Sequence, residues 1–159
     1  MWACFVSVER VIEMEAVVFA GLQGSGKSSF FKTRFFATHV RVSLDVVRTR
    51  NRENRILEVC LETQQKFVID NTNPTCDERA KYIGKSRDSG FRVIGYYFRS
   101  KVEDCLRRNE GRADQVPEVA ILSMAKKLQL PRLDEGFDEL WYVKIEDGKF
   151  VVEEWDDEI

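Results

Sequence analysis

Two periods of apolar spacing alternate along the chain. Short apolar runs at Glu15–Ala20, Val40–Ser43, Phe67–Asp70 and Arg92–Phe98 read as strands buried on both faces. Between them, apolar residues recur at helical spacing over 26–37, 53–66, 77–89 and 101–109, and Pro117 opens a further helix reaching about Leu128. Phe30, Phe31, Phe35 and Phe36 are expected to pack on the sheet, as are Ile56, Leu57, Cys60 and Leu61. Gly90 marks a helix end, and Asp147-Gly148 marks a tight hairpin between Leu140–Ile145 and Lys149–Val152. The order β-α-β-α-β-α-β-α-α-β predicts an α/β domain on a mostly parallel sheet, with the polar break Glu110–Gln115 as a lid. Residues 1–14 read as an N-terminal extension and 15–159 as a single domain.

A chain of 159 residues with 43% hydrophobic and 33% charged residues suits one soluble globular domain. No apolar stretch approaches the roughly 18 residues of a membrane span, and the first residues lack a secretory signal, so a cytoplasmic protein with no membrane partner is expected. Cys4, Cys60, Cys76 and Cys105 are scattered without C-x-x-C spacing, which argues for buried free thiols over zinc or disulfides. His39 is alone and is assigned no role. The net charge of -2 excludes bulk electrostatic capture of nucleic acid, so any such contact is local, with Arg48, Arg50, Arg52 and Arg55 as candidates. The acidic tail Glu153–Glu158 reads as solubilising.

Gly21-Leu22-Gln23-Gly24-Ser25-Gly26-Lys27-Ser28 spells G-x-x-x-x-G-K-S directly after the first strand and before a helix. This is a P-loop for a nucleoside triphosphate. Gly21, Gly24 and Gly26 let backbone N–H groups of the loop face phosphate oxygens, and Ser25 and Ser29 belong to the same cradle. Lys27 reaches the terminal phosphates, and the Ser28 hydroxyl is a ligand for Mg2+, with Asp70 as its partner. In a parallel sheet, ligands lie beyond the carboxyl ends of the strands, which brings Asp45, Asp70, Asn71, Thr72 and Asn73 beside the phosphates. The constellation fits phosphoryl transfer to a hydroxyl.

From Ala16 to Val143 the chain resembles the polynucleotide 5′-hydroxyl kinases. The resemblance rests on the P-loop, V-x-L-D-x-x-R at Val42–Arg48, V-I-D-N-T-N-P at Val68–Pro74, R-R-N-x-x-R at Arg107–Arg112, V-P-x-x-x-I-x-x-M at Val116–Met124 and E-G-F-D at Glu135–Asp138. It implies a P-loop NTPase kinase-type three-layer sandwich with a helical lid, using ATP and Mg2+ on the 5′ end of DNA or RNA. It also implies that Asp45 is the general base, Arg48 binds the acceptor's phosphate, Asn71 and Thr72 shape the acceptor pocket, and the lid residue Arg112, supported by Arg108, contacts nucleotide phosphates. Two departures stand out: Leu44 where many members carry arginine, and Ser29 where threonine is common. Family enzymes often carry a phosphatase or ligase module, for which this chain has no room, so a stand-alone kinase is expected. A kinase of a small hydroxyl compound and a non-catalytic ATP-binding module are the alternatives; the lack of an N-K-x-D run disfavours a guanine-nucleotide switch.

Overall fold

In the computed structural model, which describes residues 13–159, the run Glu15–Ala20 forms β1, and the glycine-rich turn after it leads into α1 (Lys27–Arg34). β2 (Val40–Val42), a short helix α2 (Leu44–Val47), α3 (Arg50–Glu62), β3 (Phe67–Ile69) and α4 (Cys76–Asp88) follow. The chain continues through β4 (Arg92–Phe98), α5 (Val102–Glu110), α6 (Glu118–Lys127) and a 3-10 turn at Leu133–Glu135 to the hairpin of β5 (Glu139–Glu146) and β6 (Lys149–Glu154). The strands form one sheet in the order β2-β3-β1-β4-β5-β6, parallel except where β6 returns along β5. The α/β class and mostly parallel sheet expected from the spacing are therefore observed. Residues 1–12, which include Cys4 and most of the expected extension, lie outside the described residues. No helix among the described residues is long and apolar enough to cross a membrane.

Side-chain alternation along β1 divides the core. Ala16 and Val18 join Leu57, Ile69, Tyr82 and Ile83 on the face covered by α3 and α4. Val17 and Phe19 join Phe30, Phe31, Phe35 and Phe98 on the face covered by α1. Phe36 departs from its expected place and is 74% exposed, because α1 unwinds after Arg34 and the backbone has already turned away from the sheet. Cys60 and Cys105 are the expected buried free thiols, whereas Cys76 is exposed on the first turn of α4. α3 starts at Arg50, three residues before the expected Glu53, because the Thr49 hydroxyl caps it by accepting the Arg52 N–H at 3.3 Å.

Two contacts between residues far apart in sequence brace the sheet, one at each end of β1. Arg79 on α4, fully buried, donates two bonds to the Glu135 carboxylate at 2.7 and 2.8 Å and one each to the Asn73 and Gln129 carbonyls at 3.0 Å. At the opposite end of β1, the His39 ring lies between Thr38 and Glu15, with its Nε2 2.8 Å from the Glu15 carboxylate. Hydrogen bonding to His39 holds the Glu15 carboxyl below the usual carboxylate range against the opposing effect of burial.

Replacing Arg79 by leucine leaves Glu135 buried without its cation, and the expected cost is about 3–5 kcal/mol. The urea midpoint measures it; a loss under about 1 kcal/mol would remove Arg79 from this role. The Glu15 contribution has a defined sign. Because its folded pKa is lowered, the stabilisation is complete above the ordinary carboxylate range and is lost as pH falls through the folded value. Glu15→Gln should therefore be less stable than wild type at pH 7, with the gap closing towards pH 3; a gap that persists in acid contradicts the assignment.

Candidate active site

The phosphate loop is held where it leaves β1 by the turn that follows β3. The Gly21 N–H donates to the Thr72 carbonyl at 2.9 Å, tying the loop to the turn after β3, and the Asn73 side-chain amide donates to the Phe19 carbonyl at 2.7 Å. At Gly24, φ is +80°, and a Cβ would lie 2.5 Å from the Cys105 carbonyl oxygen, so α5 packs directly on the loop backbone. Arg108 closes this contact by donating to the Gly24 carbonyl at 3.1 Å. Lys27, at the head of α1, is buried and folds back across the loop, donating to the carbonyls of Gly21 at 2.9 Å and Leu22 at 2.7 Å. Burial pushes its pKa down to about 8, opposed by the Asp70 and Asp45 carboxylates. Lys27 thus pays a desolvation penalty that anionic phosphates would relieve.

Beside Lys27, the Ser28 hydroxyl donates to Asp70 Oδ2 at 3.2 Å. Arg41 on β2 touches both: its Nε donates to Asp70 Oδ2 and an Nη donates to Ser28 Oγ, each at 2.8 Å. A carboxylate and a hydroxyl side by side, already facing a cation, are the hard oxygen donors that suit Mg2+. The residues fit that ion. Phosphates and water would complete the octahedron around these two protein oxygens.

These elements open onto one cleft of about 580 Å³. Gly24, Gly26, Lys27, Ser28 and Ser29 line it from the loop, Asp45 from α2, Asp70, Asn71 and Thr72 from the turn after β3, and Arg108 and Arg112 from the lid side. Gly21 and Ser25 support the loop without lining the cleft. Arg48, at the end of α2 with φ 71°, is not among the lining residues, whereas Arg50, two residues on, is. Asn109 shapes the lid: its side chain donates to the Val116 carbonyl at 2.7 Å and accepts the Val116 N–H at 2.9 Å, closing the loop that carries Arg112. Sequence reasoning missed Arg41 and Lys32. Arg41 alternates on a strand like a solvent residue, whereas Lys32 stands four residues after Ser28, about one helical turn, and so shares its face of α1.

A family described as an AAA domain matches residues 17–131. The chain belongs to that family. Its glycine-rich loop between β1 and α1 of a mostly parallel sheet is the P-loop arrangement that the resemblance drawn from the sequence implied. A bifunctional polynucleotide phosphatase/kinase of Schizosaccharomyces pombe is 29% identical over 129 residues, which is 77% of this chain and 32% of that protein. The chain spans about a third of the length of the curated relatives it matches, 32% in each of two cases. Among solved structures, a gluconokinase from Sinorhizobium meliloti 1021 superposes with a TM-score of 0.59 at 15% identity, over 82% of each chain. A chain of the Pnkp1/Rnl/Hen1 RNA repair complex superposes with a TM-score of 0.60 at 21% identity, over 76% of this chain and 46% of that one. These two likenesses show a shared fold.

In this AAA-domain chain, the Gly24 contact predicts a clean loss of function. Gly24→Ala forces the loop or α5 to move and puts a side chain at positive φ, so nucleotide affinity should fall by at least about tenfold with the helix content unchanged. Titration with a fluorescent ATP analogue measures it; unaltered affinity would mean that the loop tolerates the displacement.

Proposed function

We propose that the protein is a kinase that transfers the γ-phosphate of ATP to the 5′-hydroxyl end of DNA or RNA. The observation that carries the reading is Asp45: a carboxylate at the head of α2, lining the same cleft as the P-loop and close enough to Lys27 to influence its charge. The similarity to a polynucleotide phosphatase/kinase over 129 residues supports the choice of acceptor.

In this reading, backbone N–H groups of Gly24–Ser28 and the Lys27 ammonium bind the β and γ phosphates, and the lysine exchanges loop carbonyls for phosphate oxygens. Ser28 and Asp70 would hold Mg2+, which supplies charge neutralisation when bound. Asp45 orients the acceptor hydroxyl and takes its proton as the oxygen forms a bond to the γ phosphorus, the bond from that phosphorus to the β-γ bridging oxygen breaks, and ADP leaves. Arg112 offsets the charge that spreads over the migrating group, an interaction worth more in the transition state than in the ground state. Arg108 braces the loop from the lid side, and Thr72 and Asn71 wall the acceptor half, with Arg48 outside the cleft lining.

The test is incubation with Mg2+ and γ-labelled ATP, offering a 5′-hydroxyl oligonucleotide, its 5′-phosphorylated twin and free nucleosides. Label is expected on the 5′-hydroxyl oligonucleotide alone. Asp45→Asn should lower that transfer by about a hundredfold or more while nucleotide affinity stays within about twofold. Label on a nucleoside alone would move the acceptor to a small hydroxyl compound, and undiminished transfer by Asp45→Asn would remove it as base.

A further inference from the structure

Behind the cleft lining, bonded to Arg50 and Asn71, sits a carboxylate that the proposed phosphoryl transfer does not use. Glu53 on α3 is fully buried, where an ionised side chain is tolerated only when its oxygens are well bonded. It is: Oε1 accepts from the Tyr82 hydroxyl at 3.0 Å and from the Asn71 side-chain amide, and Oε2 accepts from Arg50 at 3.0 Å. The same Arg50 nitrogen donates to the Tyr82 oxygen at 2.8 Å. Asn71 is spent inside the protein as well, since its Oδ1 accepts the Leu44 N–H at 2.9 Å. Leu44 is the first residue of α2 and immediately precedes Asp45.

Two consequences meet at Glu53. Through Asn71 and Leu44 it fixes the start of the helical turn that carries Asp45. Through Arg50 it fixes a guanidinium that lines the cleft with 49% of its side chain exposed, anchored by one nitrogen and with its remaining donors free of any partner among the described residues. The sheet order then assigns a side to each cation. The chain leaving β2 and the chain leaving β4 flank the phosphate loop of β1 from opposite sides, so Arg50 approaches from the Asp45 side and the lid arginines from the other.

We propose that Glu53 is a positioning residue that sets Asp45 and Arg50 in one rigid frame, and that Arg50 is the specificity cation, contacting the phosphodiester next to the hydroxyl that Asp45 deprotonates. This rests on the polynucleotide reading of the cleft. It adds to the acceptor side a contact that depends on a buried network rather than on Arg48, and it accounts for a carboxylate kept in the core where a neutral side chain would pack at lower cost. A planar guanidinium held at one corner by a carboxylate retains a fork of donors for a second oxyanion.

The test pairs protein variants with a change in the ligand. Binding of a 5′-hydroxyl oligonucleotide and of the same strand with an uncharged methylphosphonate at its first linkage is followed by fluorescence anisotropy, with an ATP analogue as control. Wild type should lose about tenfold when the linkage is neutralised, the loss expected for one charge-assisted contact. Arg50→Gln should lose a similar factor with the natural strand and then stay within about twofold between the two strands, because the interaction has already gone. Glu53→Gln and the milder Tyr82→Phe, which keeps the ion pair, should each blunt the sensitivity to the linkage and lower the transfer rate, leaving ATP affinity within about twofold. Additive losses in Arg50→Gln, or the same signature in Arg48→Gln instead, overturn the assignment of Arg50. A fall in melting temperature without any change in linkage sensitivity overturns the positioning role of Glu53. A wild-type protein that labels no oligonucleotide overturns the proposed function itself, an outcome distinct from either of these.

Discussion

The Gly21 N–H on the Thr72 carbonyl and the Asn73 amide on the Phe19 carbonyl join the ends of β1 and β3 into one rigid corner. Everything at the site is measured from that corner. It fixes where the phosphate loop leaves the sheet, and it brings Asp70, which ends β3, within bonding distance of Ser28 on α1. The corner would be weak if Asn73, at φ 42°, were free to relax, and the buried Arg79 prevents this by taking the Asn73 carbonyl while Glu135 neutralises it. A guanidinium with its donors committed to two carbonyls and a carboxylate cannot shift without stranding a buried charge, so a contact over 50 residues long in sequence stiffens a loop it never touches.

Electrostatics at the cleft run against the chain as a whole. The net charge is -2, yet Lys27, Lys32, Arg50, Arg108 and Arg112 line the cleft against Asp45, Asp70 and Glu78. The cleft lining thus carries a small positive excess in a chain that is negative overall.

The phosphate loop and the cleft positions of Asp45, Arg50, Asn71 and Thr72 were legible in the sequence, and the side-chain network behind them was not. A P-loop is written in local terms, as glycines that permit positive φ, a lysine and a hydroxyl at fixed offsets, and a strand before and a helix after. The same local logic gave the strand ends, and hence Asp45 and Asp70. Arg41, Glu53, Arg79 and Glu135 act through partners 29, 18, 56 and 56 residues away, and nothing in their spacing announces those partners. Glu53 was hidden further by its position, because an acidic residue in the first turn of a helix has a sufficient explanation in the helix dipole. Phe36 erred in the opposite direction: its apolar character placed it in the core, but the helix that would have carried it there ended two residues earlier.

That division has a physical origin with a functional consequence. Phosphate is recognised by backbone N–H groups, so the donor half depends on loop conformation and tolerates few residues at its glycines. The half that the proposed function assigns to the acceptor is built from side-chain to side-chain bonds, Asn71 to Glu53 and Glu53 to Tyr82 and Arg50. Because the loop recognises phosphate through its backbone and the other half uses side chains, a fold of this kind can keep its nucleotide chemistry while its acceptor changes. Acceptor choice is therefore to be sought on α2 and α3, where the cations are held by side chains, and not in the phosphate loop.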